Sequence, residues 1–154
     1  MNILIIGVGS ELRGDDAVGV LVARHLGEQD LPGVTVIERS GEGSDLIAAW
    51  EGHERVIVID AAQSGAEPGT IHRFEAHRER LPTNSLNFSS HVFGVVEAIE
   101  IARNLGQLPA NLVVFGVEGE NFNIGSGISM SVQHALDQVI RLILDEIERR
   151  HYYH

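Results

Sequence analysis

The sequence predicts a three-layer αβα fold around a mostly parallel, five-stranded sheet with one antiparallel edge strand. Three observations carry that prediction. The strand candidates are near-continuous apolar runs rather than alternating ones, as in strands covered on both faces. Stretches with the 3.6-residue apolar period separate most of them. One connection between strands is too short to hold a crossover helix, which forces an antiparallel strand. With 154 residues and no repeat, low-complexity tract or linker, the chain reads as one domain over 1–154.

Ile3 to Val8 is the first strand, its apolar run ending among glycines. From Asp16 the pattern turns helical, with Val18, Leu21, Val22 and Leu26 on one stripe and Gly27 at its end. Val34 to Ile37 is the second strand, and Ser44 caps a short helix through Trp50. Val56 to Ile59 is a third strand, wholly apolar until Asp60. The turn Ser64 to Gly69 then predicts that Thr70 to Phe74 pairs antiparallel with its predecessor, at an edge. A polar loop from His77 to Asn87 is long for a compact domain, a length often associated with function. Ser89 or Ser90 caps the next helix, whose stripe is Val92, Val95, Val96, Ile99 and Ala102. Leu112 to Val117 is the last strand, and a glycine-rich loop leads to a final helix striped by Val132, Leu136, Val139, Ile140, Ile143 and Ile147.

Composition excludes several classes of function. A net charge of −11 repels a phosphate backbone, so nucleic-acid binding is excluded. Cysteine is absent, so a metal site must use oxygen and imidazole, and no thiol nucleophile exists. No apolar stretch approaches the roughly 18 residues of a membrane span. Met1 to Gly7 has no basic leader and reads as a buried strand rather than a secretion signal, so the expectation is a soluble, cytoplasmic chain.

In a sheet of this kind, sites form beyond the carboxyl ends of the strands. That edge should hold the loop after Val8, the segment Glu38-Arg39-Ser40-Gly41, Asp60 and the loop after Val117. The first loop, Gly7-Val8-Gly9-Ser10-Glu11-Leu12-Arg13-Gly14-Asp15-Asp16, begins like a dinucleotide fingerprint, with Glu38 available as a ribose-binding acid. Leu12 stands where the third glycine belongs, however, and Asp15 and Asp16 would face the pyrophosphate with like charge. A phosphate-cradling Gly-Lys-Ser/Thr is also missing.

Helix capping accounts for one aspartate of the Asp15-Asp16 pair and leaves the second as surplus charge. Asp60 ends a strand of four large apolar residues, where a carboxylate needs donors or a cation nearby. His91 follows Ser89-Ser90 at a helix start, where the macrodipole favours the neutral imidazole that ligates metals. Taken singly, a surface histidine or a hydrogen-bonded carboxylate explains each residue. Taken together, Asp16, Asp60 and His91 converge on one sheet edge as a site of charge −2 with open positions. Its mixed oxygen and nitrogen donors suit nickel, zinc, manganese or iron better than magnesium.

The ordered series Gly7-x-Gly9-x-x-x-x-Gly14-Asp15-Asp16-x-x-Gly19, the strand ending in Asp60, Pro68-Gly69-Thr70 and Ser90-His91-x-x-Gly94 resembles the [NiFe]-hydrogenase maturation endopeptidases over nearly the whole chain. The resemblance implies a cytoplasmic peptidase that trims a C-terminal extension from the hydrogenase large-subunit precursor once nickel has been inserted; a monomer is expected. It places the family's metal-contacting trio on Asp16, Asp60 and His91. Nickel would then be supplied by the precursor, with no tightly bound cofactor of the enzyme's own. Departures are Ser10 for a usual asparagine, Ala17 for a glycine, and Glu38-Arg39-Ser40-Gly41 where an aspartate followed by Gly-Gly-Thr is common. Glu38 keeps a carboxylate there and is carried as a further candidate catalytic residue. Two rivals use the same features: an independent zinc or two-metal hydrolase, and a non-catalytic nucleotide- or protein-binding module. Zinc sites usually show more histidine or cysteine than this constellation offers.

Overall fold

The computed structural model describes residues 2–81 and 94–152. Five strands form one sheet: β1 (Ile3–Val8), β2 (Val34–Arg39), β3 (Arg55–Ala62), β4 (Ile71–Glu75) and β5 (Asn111–Glu118). Four α-helices accompany them: α1 (Val18–Gly27), α2 (Gly43–Trp50), α3 (Val95–Asn104) and α4 (Met130–Tyr152). The strand order is β2-β1-β3-β5-β4, parallel throughout except that β4 runs antiparallel to β5.

Side-chain alternation along the strands divides the core between two faces. On one face, Leu4, Ile6, Val8, Val56, Val58, Leu112 and Val114 pack with Leu46 and Trp50 of α2 and with Val95, Ile99 and Ala102 of α3. On the other, Ile3, Ile5, Ile57, Ile59, Val113 and Phe115 meet Val18, Val22 and Leu26 of α1 and Val132, Val139, Ile140 and Ile143 of α4. The predicted three-layer architecture is therefore the observed one. Because β1, β3 and β5 are parallel, their carboxyl ends share one rim, bringing the loop after Val8 together with Asp60 and Glu118.

Four local expectations are corrected. The edge strand does pair antiparallel, but with β5 rather than with its predecessor β3. β5 is buried along nearly its whole length and occupies the inner position, whereas β4, with its partly exposed His72, Arg73 and Glu75, takes the edge. Neither aspartate of the pair caps α1. A 3₁₀ turn (Gly14–Ala17) intervenes, and α1 has Ala17 at its N-cap. Glu42, not Ser44, caps α2, its carboxylate accepting the N–H groups of Ser44 and Asp45. α3 starts at Val95 with Gly94 at its N-cap, and the Glu97 carboxylate accepts the Gly94 N–H at 2.9 Å. The predicted caps Ser89 and Ser90 lie outside the described residues.

Candidate active site at the carboxyl edge of the sheet

The first loop must return on itself to bring Asp16 back over the end of β1. Gly9, at φ 140°, lies so close to that turn that a Cβ there would sit 1.9 Å from the Asp16 carbonyl oxygen. No other residue type fits. The turn then locks, since Ser10 donates its N–H to Asp16 Oδ2 at 2.9 Å. Asp16 is thereby buried, with 7% of its surface exposed.

Asp60 extends β3 by one residue beyond its apolar run and is completely buried. Its Oδ1 accepts the N–H of Ala61 at 2.8 Å. Among the described residues its Oδ2 has no hydrogen-bond partner. Burial first, and then the charge of Asp16, push the Asp60 carboxyl well above its ordinary range, with the Ala61 N–H opposing them. The remaining buried polar side-chain atoms without a partner among the described residues are Trp50 Nε1, at the end of α2, and Arg55 Nη1, at the opposite end of β3 from Asp60. An unpaired carboxylate oxygen deep in a protein is costly, and here it lies in the field of a second carboxylate.

Glu118 shows how the same sequence signal resolves when the role is structural. Like Asp60 it follows an apolar strand run, and as the last residue of β5 it is paired in register with Ala62, two residues past Asp60. It is as deeply buried as Asp60, but its oxygens accept Ser64 N–H at 2.8 Å, Ser64 Oγ–H at 2.6 Å and Gly65 N–H at 3.3 Å, and meet His72 Nε2 at 3.1 Å. Asp15 is likewise buried and satisfied: Oδ2 accepts the N–H groups of Glu120 and Asn121 at 2.7 and 3.0 Å, and Oδ1 accepts that of Ser129 at 2.6 Å.

Glu38, at the end of β2, lines a groove beside Gly9, Ser10, Arg24 and Arg39. Its carboxylate is engaged by Arg24, whose Nε and Nη2 donate at 3.1 and 3.2 Å while Nη1 reaches Glu11 at 2.7 Å. His91 lies outside the described residues. The structure thus brings Asp16 and Asp60 into electrostatic contact and places Glu38 at the same rim in an ion pair. Among the described residues, no three His, Asp or Glu side chains gather as a metal-holding group.

The family model for hydrogenase maturation proteases matches residues 20–146. The chain belongs to the hydrogenase maturation protease family. A Methanocaldococcus jannaschii relative assigned to these proteases is 32% identical over 96% of this chain and 97% of its own length. The hydrogenase 2 maturation protease of Escherichia coli is 27% identical over 94% of this chain and 89% of its own. Among solved structures, the E. coli maturating endopeptidase HybD superposes with a TM-score of 0.81 at 23% identity, covering 97% and 94% of the two chains, a likeness of fold. The [NiFe]-hydrogenase maturation protease HycI of Thermococcus kodakarensis gives 0.71 at 25% identity, over 94% and 90%. The chain is accordingly a peptidase of hydrogenase processing.

In this maturation protease, the residues that sequence reasoning undervalued are Asp15 and Glu118. Glu118 carried the signal that singled out Asp60, a carboxylate closing an apolar strand. Sequence offers only capping for one aspartate of the Asp15-Asp16 pair, because the true partners of Asp15, more than a hundred residues away, leave no local mark.

Proposed function

We propose that this protease removes the C-terminal extension of a [NiFe]-hydrogenase large-subunit precursor after nickel insertion, and that the nickel carried by the precursor is what the site recognises. The observation that carries this reading is the buried Asp60 carboxylate, its Oδ2 without a partner among the described residues and its carboxyl in the field of Asp16. Two carboxylates held together away from water repel one another, and a divalent cation arriving with the substrate relieves that repulsion. A precursor without the ion leaves the repulsion in place and binds poorly, so gating by nickel is differential binding. Asp16, Asp60 and His91 are the proposed contacts, with the imidazole completing a mixed oxygen and nitrogen set suited to nickel. Glu38, held by Arg24, lines the neighbouring groove and is proposed to face the incoming chain rather than the ion.

With the precursor docked, a water activated by a site carboxylate or by the metal would attack the scissile carbonyl carbon. A site carboxylate would take up the water's proton and pass it to the departing amine as the C–N bond breaks. The mature subunit keeps the new carboxyl terminus. This reading also names the precursor as the protein partner. Among the described residues, no helix is long and apolar enough to cross a membrane.

The test is a paired assay on nickel-loaded and nickel-free precursor, followed by the shift to the mature subunit, with Asp16→Ala, Asp60→Ala and His91→Ala alongside the parent enzyme. Only the loaded form should be shortened, and each substitution should lower kcat/KM by at least about a hundredfold. Equal cleavage of both precursors removes the nickel gate. Normal processing by any one variant removes that residue from the site.

A further inference from the structure

The loop between β5 and α4 is fastened both to the end of β3 and to the turn that carries Asp16. Gly119 N–H reaches Ala62 O at 3.0 Å, Asp15 N–H reaches Asn121 O at 2.8 Å, and Gly125 N–H reaches Leu12 O at 2.9 Å. Gly14 lies so close that a Cβ on it would sit 2.2 Å from the Asn121 carbonyl oxygen. At the centre of this junction is the buried Asp15 carboxylate, which gathers the N–H groups of Glu120, Asn121 and Ser129. Three donors converging on one carboxylate make strong, charge-assisted bonds, and they span both ends of the loop.

The loop so fixed packs Phe122 and Ile128 against the core but leaves other apolar groups outside it. It holds Ile124 at 82% exposure, and the adjoining turn holds Leu12 at 69%. Neither large apolar side chain serves the interior, yet the backbone carrying them is fastened to the residue beside Asp16. Exposed apolar groups on a rigid frame next to a site mark a surface that meets a partner.

We infer that Asp15 is a positioning residue that locks the 119–129 loop into a fixed wall of the active site, against which the precursor docks. The inference rests on the proposed function for its partner. It adds that affinity for the precursor is set by Asp15 through the loop, separately from the chemistry at Asp16 and Asp60. Where the binding-competent conformation is only fractionally populated, apparent affinity falls by that fraction.

Steady-state cleavage of nickel-loaded precursor by the parent enzyme, Asp15→Asn and Ile124→Ser tests this, with limited proteolysis reporting on the loop. In the Asn variant, an amide N–H₂ replaces one acceptor oxygen and opposes the backbone donors. KM should rise about tenfold with kcat within about twofold, the signature of lost binding rather than lost chemistry, and the loop should become clipped. A folded Asn variant with the parent KM, or a loss confined to kcat, overturns the inference. If Asp15→Asn does not fold, Ile124→Ser, which breaks no hydrogen bond, decides: a raised KM supports the docking wall and an unchanged KM overturns it. Failure of the parent enzyme to cut the precursor would instead count against the proposed function itself.

Discussion

Gly19 of α1 lies against the backbone of Ile59, the residue that precedes Asp60: a Cβ on Gly19 would sit 2.3 Å from the Ile59 carbonyl oxygen and 2.4 Å from that of Val8. Across the same junction, a Cβ on Gly7 would meet the Gly19 carbonyl oxygen at 2.3 Å. The helix carrying the Asp16 turn therefore rests directly on the two strands whose ends bear the site. Gly19→Ala should separate α1 from β1 and β3, because the clashing atoms are backbone and cannot rotate away. The expected cost is about 3 kcal/mol, the upper part of the range for overpacking, read as a lower urea midpoint. Processing should fall with it, since Asp16 and Asp60 are aligned through this contact. A parent-like midpoint would show that the helix is free to shift.

Asp60 should oppose stability where it supports function. Its folded-state carboxyl is raised by burial and by Asp16, so the native chain holds that proton more tightly than the unfolded one does. The native state is therefore least penalised below the unfolded carboxyl value of ~3.9, and it loses stability as pH climbs from there through the folded value. Asp60→Asn removes the charge at nearly constant shape. At pH 8 it should raise Tm by a few degrees, the scale on which about 1 kcal/mol acts in a chain of this size, while eliminating cleavage. At pH 4 the gain should shrink. A calorimetric comparison at both pH values checks this, and an equal change in Tm at each would mean that the charge is not the cause.

The architecture was legible because apolar period and run length depend on neighbours in sequence. Ile3–Val8, Val56 to Ile59 and Leu112 to Val117 read as doubly covered strands, and each is a central strand of the sheet. The partner of the edge strand was not legible. That Thr70 to Phe74 lies beside β5 depends on competition for the inner position, which no local signal records. The candidate site divides along the same line. Asp16 could be selected from its place in the loop after β1 and Asp60 from its place after an apolar run, but whether a buried carboxylate is satisfied depends on donors contributed from distant segments. Asp15 and Glu118 find theirs more than forty residues away, and Asp60 Oδ2 finds none among the described residues.

That contrast predicts opposite outcomes for one chemical change. Glu118→Gln replaces an acceptor oxygen with an N–H₂ group in a pocket where Ser64 N–H, Ser64 Oγ–H, Gly65 N–H and His72 Nε2 surround the carboxylate. At least one buried donor is left facing another, which should destabilise the fold by about 2–3 kcal/mol. The damage should concentrate where the β3–β4 turn is held to the end of β5, because Glu118 also exchanges backbone bonds there, its carbonyl accepting Gly69 N–H and its N–H reaching Thr70 O, both at 2.8 Å. Hydrogen exchange should therefore quicken at Ser64, Gly65 and Gly69 before it does in β1. Measured side by side at neutral pH, Asp60→Asn should shift the urea midpoint upward and Glu118→Gln should shift it downward. Shifts of the same sign would mean that satisfaction of the carboxylate does not separate the proposed active-site residue from the structural one.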